Sequence, residues 1–156
     1  MAFQISGLDP ARFTPLFSLS DDALKDRGIL RQRVTAHPGF PCRITLEDAG
    51  EGETVLLLNH ESHAVETPFR SAYAIYVREN AREAARYETV LPPVLRNRAI
   101  ALRQFDAGGM LVGADMFLPH EDGLAVIERA LKHPDVAYIH AHNAKPGCFA
   151  AEIRPL

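Results

Sequence analysis

The stretch Ala137–Arg154, "AYIHAHNAKPGCFAAEIR", reads as two β-strands around a turn, and its alternation decides how the rest of the chain is assembled. Successive strand side chains point to opposite faces. Ala137, Ile139 and Ala141 therefore share one face and Tyr138, His140 and His142 the other. In the return strand Phe149, Ala151 and Ile153 share one face, and Cys148, Ala150, Glu152 and Arg154 the other. With residues 143–147 as the loop and the apolar faces matched, the simplest register sets His142 opposite Cys148 and Tyr138 opposite Glu152. Their Cβ atoms would be about 5 Å apart.

Before this hairpin, residues 121–132 place Leu124, Ile127 and Leu131 on one helical face. Lys132 and His133 lie near the helix's negative end, and Pro134 lies beyond it. Before that helix, residues 99–105 and 110–117 flank Asp106-Ala107-Gly108-Gly109, a turn composition that predicts another hairpin. The order strand, strand, helix, strand, strand predicts an α+β fold, a mainly antiparallel sheet with helices packed on one side.

Further out, Thr54–His60 holds Val-Leu-Leu-Leu without alternation, the pattern of a central strand covered on both faces. Ala72–Arg78, "AYAIYVR", suits a pleated surface. Residues 79–87 are alanine-rich and charged, which predicts a helix. Near the N-terminus, Asp9-Pro10 starts a short helix, and Ser20 caps a second one that stops at Gly28.

A chain of 156 residues, 47% apolar and 24% charged, fits one domain over 1–156 that buries roughly two-thirds of the surface its unfolded form exposes. Its net charge of −3 lacks the basic excess of a nucleic-acid-binding protein. The opening residues lack the pattern of a secretory leader, and no apolar run approaches the length that spans a bilayer. The expected location is the cytoplasm, with no membrane partner. There a permanent Cys42–Cys148 bond is disfavoured, and the spacing of these cysteines matches no zinc-finger pattern.

The polar residues leave several chemistries open. A thiol beside an imidazole makes a metal pair or a reactive thiolate, so His142 and Cys148 are the catalytic candidates. The same face also reads as the wetter side of an ordinary sheet, or as a pocket wall. Asn59-His60-Glu61-Ser62-His63 resembles a zinc-protease motif but spaces its histidines by three in a strand-to-loop context instead of four on a helix. His63, His140, His142 and Cys148 are thus candidate ligands for a divalent metal only if they converge. Arg43, Arg70, Arg78, Arg98 and Arg103 sit in or beside predicted strands. They either face inward to hold a carboxylate or phosphate, or pair with Glu47, Glu53, Glu79 or Asp115. Gly108-Gly109 is no phosphate loop, and Ser62 and Ser71 lack the elbow of a serine hydrolase.

Taken together, "GLDPARFTPLFSLSDDAL", "PGFPCRITLEDAGEGETVLLLNHESH", "TPFRSAYAIYVREN" and "YIHAHNAKPGCFAAEI" resemble the bacterial domain of unknown function 1203 family over nearly the whole chain. The resemblance implies a bacterial single-domain protein of this size and brings no activity with it. The matching positions are Pro41, Cys42, Arg43, His63, Arg70, Arg78, Glu79, His140, His142, Asn143, Gly147 and Cys148. Family members often carry histidine and phenylalanine where this chain has Tyr73 and Tyr76, which implies that a histidine at 73 is not essential to any shared chemistry. Both cysteines fall in the motifs, which favours an approach of Cys42 to Cys148 for redox, metal binding or packing.

The leading expectation is a pocket for a small anionic molecule, with or without catalysis, lined by Arg43, His63, Arg70, Arg78, His140, His142, Asn143 and Cys148. The alternative is a non-catalytic structural protein, a homodimer built on the polar hairpin face or a sheet edge. A third is a thiol-redox protein using Cys42 and Cys148.

Overall fold

A computed structural model describes residues Met1–Leu156. Nine strands form two sheets. The larger joins β1 (Phe3–Ser6), β5 (Arg86–Glu88), β6 (Ile100–Phe105), β7 (Leu111–Phe117), β8 (Tyr138–Asn143) and β9 (Phe149–Pro155) in the order β5-β1-β9-β8-β6-β7. The smaller is β2 (Leu30–Arg33), β3 (Thr54–His63) and β4 (Ser71–Arg78), with β3 in the middle. Every strand ladder is antiparallel. The helices α1 (Thr14–Phe17), α2 (Asp21–Asp26) and α3 (Gly123–Leu131) are short. No helix is long and apolar enough to cross a membrane.

Local chemistry sets most of these boundaries. The side chain of Ser20 accepts from the backbone N–H of Ala23 at 3.1 Å, and Gly28 ends that turn at φ 72°. Asp122 caps α3 through the N–H of Ala125 at 3.1 Å. In the β6–β7 turn, Asp106 Oδ1 accepts from the N–H groups of Gly108 and Met110, and Gly109 takes φ 84°.

The helices divide between the sheets instead of lining one side of a single sheet. On one face of the larger sheet, Ile127, Ala130 and Leu131 of α3 join Ile100, Leu102, Ile139 and Ile153 in the main core. Each of these isoleucine and leucine side chains contributes about 1.5–3 kcal/mol on full burial. A second core forms where Phe13 and Leu24 cover Leu56, Leu58, Ile75 and Val77 of the smaller sheet. Strand β3 is covered on both faces only at its start: Val55 and Leu56 are buried, whereas Asn59 and Glu61 are exposed.

Residues 79–87 are not a helix. Asn80 adopts φ 67°, outside the helical region. The Ala85 N–H donates to the Ile44 carbonyl, and the Gly7 N–H to the Ala85 carbonyl. Arg86–Glu88 then pairs with β1. No apolar stripe holds the segment as a helix, so backbone pairing to distant strands overrides alanine's helical preference.

The last hairpin forms as expected, but in a different register. His140 lies opposite Glu152 and Ala141 opposite Ala151. An irregularity then leaves Ala150 unpaired and sets His142 against Phe149. One extra residue in a strand reverses the faces beyond it. Phe149 thereby moves from its expected place beside Ile139 to the histidine face, where its ring stands 5.0 Å from that of His140 and 6.0 Å from that of His142.

Candidate functional site

The face of β8 that carries the histidines is neither solvent-exposed nor free for a partner. The smaller sheet covers it. His63, at the end of β3, meets Phe105, Tyr138 and His140 at ring-centroid distances of 4.1, 5.8 and 5.1 Å. Tyr73 of β4 stands 5.0 Å from His142. His63, His140 and His142 are 3%, 2% and 4% exposed. The polar half of the hairpin is thus an inter-sheet layer of rings, a place for packing that the alternation alone did not distinguish from a pocket wall.

The hydrogen bonds of this layer assign its protons. Phe69 offers His63 only a carbonyl, so Nδ1 is the donor at 2.9 Å, and Nε2 accepts from the Tyr138 hydroxyl at 2.7 Å. His142 Nδ1 donates to the Gly147 carbonyl at 2.9 Å. His140 Nε2 faces a Glu152 oxygen at 3.4 Å. Burial holds His140 below the ordinary imidazole range, with the Glu152 carboxylate opposing. Burial also carries His142 down to about 4, against the Gly147 hydrogen bond and with Arg103 and Arg43 adding to the effect. Both rings are therefore neutral at pH 7.

This geometry separates the candidate metal ligands. Both ring nitrogens of His63 are engaged, and no group of three or more histidine, cysteine, aspartate or glutamate side chains is arranged around a common point. His63, His140, His142 and Cys148 do not form a metal-ligand set. His142 and Cys148 share no hydrogen bond: the His142 Nδ1 donates to the Gly147 carbonyl, and the sulfur takes its hydrogen bonds from Arg43 and Asn143. The register is the reason: His140 pairs with Glu152, two residues beyond the expected alignment, and past the bulge at Ala150 it is Phe149 that stands opposite His142 in place of Cys148.

The arginines also sort themselves. Arg70 is held by Glu61 and Glu66 at the surface, and Arg78 by Glu53 and Glu47. Arg31 takes Glu79, and Asp115 takes Arg129. Arg98 forms a bidentate pair with Asp48, at 2.6 and 3.0 Å, while Arg103 reaches the Tyr73 hydroxyl at 2.9 Å. Arg43 is different. It is 2% exposed and meets only neutral main-chain oxygens and a thiol: Nε donates to the Phe149 carbonyl at 2.8 Å, Nη1 to the Pro41 carbonyl, and Nη2 lies 3.1 Å from Cys148 Sγ. Burial pulls its pKa down, with the two cysteines acting in the opposite sense. A guanidinium nonetheless keeps its proton in a protein.

Arg43 and Cys148 line a cavity of about 550 Å³ between the loop after β8, the segment around Pro41 and the edge of β4. Asn143, Lys145, Arg98 and Tyr76 complete its polar wall, and no aspartate or glutamate lines it. Asp48 answers the charge of Arg98, but neither Arg43 nor Lys145 has a carboxylate partner. Of the eight expected ligand-binding residues, Arg43, Asn143 and Cys148 meet here. His63, His140 and His142 lie in the ring layer, and Arg70 and Arg78 are elsewhere. Lys145 was not singled out by the sequence reading. Its signal was present, since it is one of only three lysines and sits in the hairpin loop three residues before Cys148.

Cys42 does not open onto this cavity. It is fully buried, and its sulfur accepts from the N–H groups of Ile44, Thr45 and Arg78. Both cysteines are free thiols.

Fold and site together define a mainly antiparallel protein of two sheets and a few short helices, with a cationic, thiol-bearing cavity at the tip of its last hairpin. Residues 39–154 match the family described as Protein of unknown function (DUF1203), and the chain belongs to that family. No curated protein and no solved structure matches the chain.

Proposed function

We propose that the cavity beside Cys148 binds a small anionic molecule, a carboxylate or a phosphate. The observation that carries this reading is Arg43, a buried guanidinium on the cavity wall with no carboxylate partner. A buried charge answered only by neutral groups is costly, and an anion in the cavity relieves that cost. Lys145 adds a second unanswered cation at the mouth, where its long side chain can follow a ligand inward. The volume lies in the range of small-molecule sites. Arg43 and Asn143 would orient the anion, and Lys145 would raise its local concentration.

Calorimetry with citrate and with inorganic phosphate at low ionic strength tests this. We expect saturable binding of at least one of them, weakened about tenfold or more by Lys145→Glu and by added salt. Absence of binding by both anions would remove the reading.

A second reading, pairing with another copy of the chain, is favoured by one edge of the larger sheet. Strand β7 ends the sheet with Val112, Ala114 and Met116 exposed along one face. It lacks lysine and proline, the residues that commonly protect such an edge. Antiparallel pairing of two β7 strands centred on Ala114 would set Val112 against Met116. The mass in solution by light scattering tests it: a dimer that Met116→Lys converts to monomer supports the edge pairing, and a native monomer ends it. The hairpin face expected as the other dimer surface is already covered by the smaller sheet.

A further inference from the structure

We infer that Cys148 is a single-thiol covalent site, taking up an anionic low-molecular-weight disulfide as a mixed disulfide. This deepens the anion-binding reading and rests on it. The sulfur lines the cavity and its residue is only half-buried, so a molecule seated there reaches it. Two donors converge on that sulfur: Arg43 Nη2 at 3.1 Å and Asn143 Nδ2 at 3.4 Å. A thiol sulfur is a weak acceptor, and hydrogen bonds between a cation and an anion are the stronger kind. The guanidinium and the amide thus hold the sulfur at the cavity wall, and the anionic form of a thiol is the one that attacks a disulfide.

The choice of co-reactant follows from the surroundings. Neither Arg43 nor Lys145 has a carboxylate partner and no acidic side chain lines the wall, so a disulfide carrying carboxylates is drawn in and a cationic one is repelled. A cavity of about 550 Å³ has room for a peptide-sized adduct. The arrangement of Cys42 sets the outcome. Its sulfur is fully buried and engaged by three main-chain N–H groups, so it does not come forward to displace the adduct.

In the step itself, the anionic Cys148 sulfur attacks one sulfur of R–S–S–R. A Cys148–S–S–R bond forms as the original S–S bond breaks, and R–S⁻ leaves with the bonding electron pair. Cys148 is oxidised and half of the disulfide is reduced. A further external thiol reverses the step.

The test uses the full chain with oxidised glutathione, which carries carboxylates, and with cystamine, which is cationic. Adducts are followed by intact mass and located by peptide mapping. Each rate is divided by that of the same chain unfolded in urea, which removes the intrinsic difference between the reagents. At low salt we expect one glutathionyl group on Cys148 and none on Cys42, with a normalised rate about tenfold or more above that of cystamine. The preference should shrink in ~1 M salt, and Lys145→Glu should reverse or abolish it. Equal normalised rates, or modification of Cys42 with Cys148 untouched, would overturn the inference. Citrate binding to the unmodified chain reports the anion seat separately. Citrate binding without a preference for glutathione ends the covalent proposal and leaves the seat standing; loss of both ends both.

Discussion

Arg43 Nη2 lies 3.1 Å from Cys148 Sγ, and the same guanidinium reaches back to the main-chain oxygens of Phe149 and Pro41. One side chain thus ties the segment after the Pro41 turn to the start of β9 while it presents its charge to the cavity. Arg43→Lys keeps the charge but loses the planar fork. We expect it to lower stability by about 2 kcal/mol, since it leaves at least one buried carbonyl unanswered. Urea unfolding measures this, and an unchanged midpoint would show that the fork does not brace the two segments.

The ring layer makes stability depend on acid. In the unfolded chain His142 takes up its proton near pH 6.5, in the folded protein only near pH 4. Between those values the unfolded state binds more protons, so the stability contributed above pH 6.5 is lost as pH falls, by roughly 3 kcal/mol in all. His140 acts in the same sense. Below that window Glu152 follows. Burial alone would raise it, but hydrogen bonds from His140 and Arg154 outweigh burial and hold it at about 2. Its contribution is present above pH 4.5 and fades as pH falls toward 2, reduced by solvent screening because the side chain is 35% exposed. Urea midpoints between pH 7.5 and 4 should fall steadily, and His142→Phe should flatten the slope. An identical slope in that variant would assign the acid sensitivity elsewhere.

Tyr138→Phe isolates one bond of the same layer. It removes the hydroxyl that donates to His63 Nε2 at 2.7 Å and leaves that nitrogen a buried acceptor without a donor. The expected cost is about 1–3 kcal/mol. A loss below ~0.5 kcal/mol would mean that water or another rotamer satisfies His63.

Gly7→Ala tests the junction of the two cores. A Cβ at Gly7 would sit 2.0 Å from the Ile44 carbonyl oxygen, a main-chain atom fixed by the Ala85 N–H. We expect a loss of about 3 kcal/mol, read by thermal unfolding. A native-like melting temperature would show that the β1 turn yields more readily than its hydrogen bonds indicate.

Much of the fold was legible in local signals. The hairpin of β6 and β7 followed from the composition of its Asp-Ala-Gly-Gly turn, and α2 from Ser20 and Gly28. Helix α3 followed from the spacing of its apolar residues. Residues 79–87 misled because alanine content reports helix preference, whereas their conformation is set by backbone partners on β1 and at Ile44. The site was legible as a list of residues, not as a grouping. Arg43, Asn143 and Cys148 were named from the sequence and do meet. The three histidines named beside them lie behind the cavity wall.

By itself the sequence determined that β3, β4 and β6 to β9 are strands, that the final hairpin carries two unlike faces, and which residue types a site can draw on, because alternation, capping and turn chemistry act over a few residues. Only the tertiary structure decided what covers each face. One bulge at Ala150 turned Phe149 onto the histidine face, and a two-residue shift of register parted His142 from Cys148. The closing of β3 and β4 over β8 made the histidines an inter-sheet packing layer. The arrival of Arg43 from a segment over a hundred residues away put a cation beside the thiol. Such contacts depend on how distant segments share one buried volume, and no local pattern encodes that.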